Sequence, residues 1–156
     1  MNITVLAVGN KMPQWVEDAT AEYAKRFGRD IQYKIKEIKP EKRGSGVNAA
    51  QGMQAEERRI LDALPEGAYL VALDERGKAP TSVELAEYLA QWQQNGRHAC
   101  FVIGGADGMT DALKQQADLL MRLSNMTLPH GMVRVLLTEQ LYRAVSILNR
   151  HPYHRE

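Results

Sequence analysis

Apolar residues recur along this chain with two alternating periods, and each switch between them marks an element. Asn2 to Val8 (NITVLAV) is a continuous β-rich run closed by Gly9, the pattern of a strand buried on both faces. Val16, Ala19, Tyr23 and Phe27 then fall at helical spacing, with Pro13 near the first turn and Gly28 at the end. From Ile31 to Ile38 the period returns to two, with Lys34 and Lys36 pointing outward, which predicts a half-exposed strand at a sheet edge. Met53, Glu57, Ile60, Leu61 and Leu64 trace a second helix ended by Pro65, and Ala68 to Leu73 (AYLVAL) reads as a central strand apolar on both faces. A polar turn is expected over Asp74 to Lys78. Thr81 and Glu84 make a capping box for a third helix whose Leu85, Leu89 and Trp92 face the sheet. Ala99 to Ile103 is the fourth strand, and Thr110 caps a short helix reaching about Gln116. Leu119 to Leu123 is the fifth strand, and a last helix runs from Gly131 to Asn149, before Pro152.

This alternation predicts one α/β domain with a parallel sheet spanning residues 1–156. Composition agrees, since 156 residues with 44% hydrophobic content can bury a proper core. Twenty basic and nineteen acidic residues leave a net charge of +1, so no global positive field advertises nucleic acid and any RNA footprint must be local. The basic, glycine-containing stretch from Lys39 to Asn48, with Lys42 and Arg43, is either a solvated connection or a phosphate-contacting arm. Cys100 is the single cysteine and sits in an apolar strand, so it is read as core and forms no intrachain disulfide. The first strand begins without a basic leader and no apolar run approaches membrane-spanning length, so a cytoplasmic protein with no membrane partner is expected.

The last helix widens this picture. Val133, Leu137, Leu141, Val145 and Leu148 make one stripe, and Val135, Leu136, Tyr142 and Ile147 extend it around the circumference. One sheet face cannot cover all of that, which points to a second subunit and a homodimer. On the same helix Glu139 and Arg143 stand four apart, either as an intrahelical pair or with Arg143 serving a site.

Candidate chemistry concentrates in two stretches. Leu119 to His130 (LLMRLSNMTLPH) is a short strand that breaks into a polar loop stopped by Pro129, and Cys100 to Gly108 (CFVIGGADG) reads as the neighbouring strand. There Gly104 and Gly105 mark either a tight turn or a place where a ligand approaches the backbone. Two such loops side by side make a pocket. The fingerprint G-x-G-x-x-G, the phosphate loop, the G-x-S-x-G elbow and the His-Glu-x-x-His helix are all missing, which weakens dehydrogenase, NTPase, hydrolase and zinc-protease readings. His151 and His154, two histidines in a Pro-containing tail with no thiol partner, fall short of a site, so no metal is expected.

Taken together, VAVGN, VIGGADG, LSNMTLPH, VRVLLTEQLYRA and the ending HPYHRE resemble, in order and spacing, the SPOUT-class methyltransferases of the subfamily that modifies N3 of a pseudouridine in bacterial large-subunit rRNA. The match covers essentially the whole chain. The resemblance implies a parallel SPOUT fold whose C-terminal part forms a deep trefoil knot, against the general rarity of knots. It implies S-adenosyl-L-methionine as cofactor, bound at Leu73, Gly104, Leu123, Ser124, Asn125, Met126, Thr127 and Leu128. It also implies a homodimer with a shared site, and the ribosome with its 23S rRNA as partner. His130, Arg143, Tyr153 and His154 are then the candidates for substrate positioning or proton transfer. The tail from Arg150 onward is either an RNA-contacting segment or an ordinary frayed terminus. Two rivals remain: a ribosome-associated binding module that transfers nothing, and a methyltransferase acting on a small molecule.

Overall fold

The computed structural model describes residues 1–42, 46 and 48–155. Arg43, Gly44 and part of the basic stretch around them, and Glu156, lie outside the described residues. The elements run β1 (Asn2–Val8), α1 (Gln14–Ala24), β2 (Gln32–Ile38), α2 (Ala49–Ala63), β3 (Tyr69–Lys78), α3 (Ser82–Gln94), β4 (Ala99–Ile103), α4 (Asp111–Gln116), β5 (Leu119–Met121) and α5 (His130–Leu148). All four strand pairings are parallel, in the order β2-β1-β4-β3-β5. The α/β alternation therefore builds the expected sheet, with β2 and its lysines at one edge.

Because β1, β3 and β4 are covered on both sides, their successive side chains feed two cores. Ile3, Val5, Ala7, Val71, Phe101 and Ile103 point toward α3 and α5, where Leu89, Trp92, Leu137 and Leu141 close over them. Leu6, Val8, Leu70, Ala72, Cys100 and Val102 point to the other face, against Ile60 of α2 and Leu113 of α4. Burial pushes the Cys100 thiol up to about 12, which makes it an inert core residue. The capping box of α3 is complete, with Glu84 N–H donating to Thr81 and Thr81 N–H donating to the Glu84 carboxylate.

Three expectations are corrected. The fourth and fifth strands are not neighbours, because β3 lies between them and pairs with both. Asp74 to Lys78 is not a turn: β3 runs on through Lys78 with a shift in register against β5. And β5 stops at Met121, which leaves Leu123 in the following loop.

The continuation of β3 has a backbone cause. A Cβ on Gly77 would stand 2.4 Å from Met121 N and 2.5 Å from the Leu120 carbonyl carbon, so only a bare α-carbon allows the two chains to pass this closely. Just beyond, Arg122 N–H donates to Lys78 O at 2.8 Å. Gly77→Ala is expected to lower stability by about 3 kcal/mol or more, because the clash is with main chain that cannot rotate away. Urea denaturation checks this; an unchanged midpoint would show that the crossing is looser than described.

α5 lies against the sheet with α1 and α3 on either side. Its apolar stripe is interrupted by buried polar residues, each with a defined partner. Thr138 shares a 2.7 Å hydrogen bond with Tyr33 on β2, and Arg134 and Glu139 are also buried. The helix is therefore less uniformly apolar than its sequence implies. Val135, Leu136 and Ile147 stay half-buried and Leu148 is 38% exposed, so part of the stripe still lacks cover.

Candidate active site at the carboxyl edge of the sheet

Strands β1, β3, β4 and β5 end on one side of the sheet, and the loops that leave them enclose a cleft of about 790 Å³. That is the size of a small-molecule site, at the place where open parallel sheets bind ligands. Its walls come from Val8 and Gly9 at the end of β1, Leu73 to Glu75 in β3, Ile103 to Met109 from the end of β4 onward, and Met121 to Ser124 and Met126 to Leu128 from the end of β5 onward; His130 and Val133 of α5 also line it.

Seven of the eight residues expected to bind the cofactor line this cleft: Leu73, Gly104, Leu123, Ser124, Met126, Thr127 and Leu128. Asn125 belongs to the same loop but is not among the lining residues. The loop is braced locally, with Met126 N–H donating to Ser124 Oγ at 2.9 Å. Met126 is 79% exposed, an unusual position for a large apolar side chain and one suited to being covered by a ligand.

The β4 loop is held from behind. Gly108 N–H donates to Gly105 O at 3.0 Å, and Gly108 takes a φ of +83°, closing a tight turn. A Cβ on Gly104 would come within 3.0 Å of Met109 Cγ and 3.1 Å of the Gly108 carbonyl carbon. One on Gly105 would meet Val8 at 2.9 Å and the Glu56 carboxylate at 3.1 Å. The paired glycines thus form a tight turn, and that turn is itself a cleft wall.

Charged residues from the flagged stretches join this wall, together with Lys114, which the sequence had not singled out. Asp74 and Lys114 form a partly buried ion pair at 3.3 Å, with Glu75, Asp107 and Arg122 nearby around the cleft. Arg134 is 5% exposed and sits just behind the wall: Nη1 donates to Glu37 at 2.8 Å and Nε to His130 Nε2 at 2.9 Å. His130 Nδ1 lies 3.1 Å from Gly104 O.

The other three proton-transfer candidates assemble elsewhere. α5 ends in a Schellman arrangement, in which His151 N–H donates to Ser146 O and Arg150 N–H to Ile147 O, with Arg150 in the left-handed region at φ +56°. The chain then folds back along α5. Tyr153 packs edge-on against Tyr142 and lies under the Arg143 guanidinium at 4.7 Å, and its hydroxyl donates to Glu139 at 2.9 Å. Arg143 donates through Nε and Nη2 to Glu139 Oε1 and stands 3.2 Å from His154 Nδ1. The intrahelical pair of Arg143 and Glu139 is formed, and it is the floor of the tail cluster.

Burial pushes the Tyr153 hydroxyl up to about 12, reinforced by its bond to Glu139, so it is a proton donor and not a base at neutral pH. For Arg143 burial acts downward, but the bonds and charge of Glu139 outweigh it and the guanidinium is held still more firmly charged. His130 and Arg143 are thirteen residues apart on one helix, roughly 20 Å along its axis, and no described residue of the tail lines the cleft.

The family model described as predicted SPOUT methyltransferase matches residues 1–154. The chain belongs to the SPOUT methyltransferase family. Among curated relatives, Ribosomal RNA large subunit methyltransferase H of Neisseria meningitidis serogroup C is 80% identical over 156 residues, covering 100% of both chains. The protein of the same description from Chromobacterium violaceum is 64% identical, again over 100% of both. Among solved structures, a probable methylase family protein from Haemophilus influenzae matches with a TM-score of 0.61 at 13% identity, covering 95% of this chain and 66% of that one. At that identity the likeness speaks for the SPOUT fold alone.

Proposed function

We propose that this methyltransferase uses S-adenosylmethionine to methylate N3 of a pseudouridine in 23S rRNA, acting on ribosomal particles in the cytoplasm as a homodimer. The observation that carries the reading is the cleft: seven of the eight expected cofactor positions line one cavity of suitable volume. The donor set fits the cofactor. Leu73, Leu123, Leu128 and Ile103 offer apolar walls for a flat purine, main-chain groups at Gly104 and in the 123–128 loop can read its polar edge, and the acidic Asp74, Glu75 and Asp107 outnumber the lining cations Lys114, which pairs with Asp74, and Arg122, a balance suited to a sulfonium. The relatives named for rRNA methylation at 80% and 64% identity support the substrate class. No helix among the described residues is long and apolar enough to cross a membrane.

When bound, the cofactor supplies an electrophilic methyl group. The chain must orient the acceptor nitrogen in line with it, exclude water and help the imide N–H lose its proton. Leu73, Leu123 and Leu128 exclude water from the cleft wall, and Gly104 lets the backbone approach closely. The tail cluster is the acceptor-side machinery: Arg143 presents fixed positive charge to phosphate or to a base carbonyl, while Tyr153 and Glu139 hold it in place. Because no described residue of the tail lines its own cleft and Arg143 stands roughly 20 Å from His130 along α5, a complete site takes the tail of one protomer and the cleft of its partner. The incompletely covered stripe of α5 fits that assembly. We place the deep knot in the C-terminal part of the chain, which passes the bare Gly77 of β3 at Leu120 and Met121.

Incubating the protein with methyl-labelled S-adenosylmethionine and ribosomal particles tests the proposal. Label in large-subunit rRNA is the expected result. Label only in small molecules overturns the substrate, and ribosome binding without any label overturns the enzyme reading.

A further inference from the structure

Burying a guanidinium without satisfying all of it is costly, yet Arg134 is 5% exposed and its Nη2 has no hydrogen-bond partner. A Cβ on Gly9 would stand 3.0 Å from that nitrogen and 3.6 Å from His130 Nε2, so the group lies directly beneath the cleft wall after β1. The other two guanidinium nitrogens are committed, to Glu37 on the edge strand and to His130 at the first turn of α5. An ion pair buried only at its Arg134 end, with one guanidinium nitrogen unsatisfied, is poor at stabilising a core, so its value lies in what it positions.

The bond from Arg134 settles the protonation of His130. Arginine can only donate, so His130 Nε2 must accept and carries no proton. Nδ1 then bears the hydrogen and donates it to Gly104 O at 3.1 Å. Protonating the ring would break the Arg134 bond, set two cations side by side and place the new charge at a helix N-terminus, where positive charge is disfavoured. Burial and the Arg134 charge hold His130 below its ordinary value, against smaller upward effects of Gly104 and Glu37.

We propose that Glu37, Arg134 and His130 form a positioning relay that fixes the Gly104 carbonyl in the cofactor cleft, and that His130 works there as a neutral donor, not as the proton acceptor of methyl transfer. The relay links edge strand β2, helix α5 and the β4 loop. It rests on the reading of the cleft as the cofactor site. The charged groups facing His130 are Arg134 on its own helix and Glu37 from β2; the β4 loop presents a carbonyl. Because the fold favours the neutral ring, this contribution is complete above the unfolded-state pKa of about 6.5 and is lost as pH falls from there toward the depressed folded value.

Titration calorimetry with S-adenosylmethionine on the full chain, paired with transfer rates on ribosomes, tests the relay. His130→Ala and Arg134→Met are expected to bind the cofactor roughly 10-fold more weakly. His130→Asn keeps a donor where Nδ1 stands and is expected to restore affinity to within about threefold. Affinity of the natural protein should hold at about pH 6.5 and fall only at the lower pH where the folded chain protonates His130, whose value burial and the Arg134 charge depress, and that fall should vanish in His130→Asn. At saturating cofactor the rescued variant should keep the acidic limb of the transfer profile. A His130→Asn protein that binds cofactor normally but loses both transfer and that limb makes His130 the base and overturns the relay. Should His130→Ala melt early, the half-exposed Glu37→Gln reads the same chain: weakened binding supports it and unchanged binding overturns it. If His130→Ala binds normally while Gly104→Val does not, the relay fails and the cleft stands; if Gly104→Val also binds normally, the cofactor reading itself fails.

Discussion

Gly104→Val is expected to weaken S-adenosylmethionine binding roughly 100-fold while leaving assembly and secondary structure intact. The reason is more specific than crowding of the cavity. The first carbon of the new side chain would press at 3.0 Å on Met109 Cγ and at 3.1 Å on the Gly108 carbonyl carbon, and the branched methyls cannot retreat from both. Met109 can shift, but the Gly108 main chain is pinned by its bond to Gly105 O. The loop therefore moves as a unit, taking with it the carbonyl that His130 holds. A displaced main-chain wall costs more affinity than a lost side-chain contact, because every group that reads the ligand through that loop shifts together. Calorimetry of the variant beside the natural protein, with circular dichroism as a folding control, decides the matter. Unchanged affinity would move the cofactor away from the β4 loop.

The residues that make this prediction possible were visible in the sequence because their signal is local. A strand that ends in two glycines, and another that breaks into a polar loop before a helix, announce themselves by period and by φ requirement. The pairing of those strands does not. An apolar run such as Ala68 to Leu73 says that both faces are covered, not which strands lie beside it, and β3 proved to separate β4 from β5. Asp74 to Lys78 misled for a related reason. Its polar composition reads as a turn, whereas its extended path follows from backbone pairing with β5 and a close pass at Gly77, neither of which leaves a hydrophobic pattern. Arg134 was hidden by distance: its carboxylate partner is 97 positions away, so a charged residue in an apolar helix gave no hint of burial. The tail was legible as chemistry but not as geometry. Its Tyr, His and Arg content marked it as more than a solvated end, yet nothing in it foretold that Tyr153 folds back beneath the Arg143 guanidinium.

That fold-back gives the largest functional effect expected from a change outside the cleft. Deleting residues 153–156 removes the Tyr153 ring from beneath Arg143, the hydroxyl bond to Glu139 and the His154 contact, but it leaves the Arg143–Glu139 pair on α5. Stability should fall only slightly, because the lost contacts are half-exposed and the Schellman turn at the end of α5 lies upstream. Cofactor affinity should stay within about twofold, since no residue of the tail lines the cleft. Methyl transfer to ribosomes should nevertheless drop by roughly 100-fold or more, the scale of loss that follows when a charge is no longer held within about an ångström of its productive place. Tyr153→Phe separates the contributions: the ring still supports Arg143, so a small loss assigns the effect to packing and a loss as large as the deletion's assigns it to the hydroxyl. Mixing the truncated chain with a Gly104→Val chain then tests the shared site. Each homodimer is defective in one half, but a mixed dimer pairs an intact cleft with an intact tail and should recover part of the transfer activity. No recovery in a mixture that sedimentation shows to be dimeric would confine each site to one protomer, and full-rate methylation by the truncated protein alone would remove the tail from the reaction altogether.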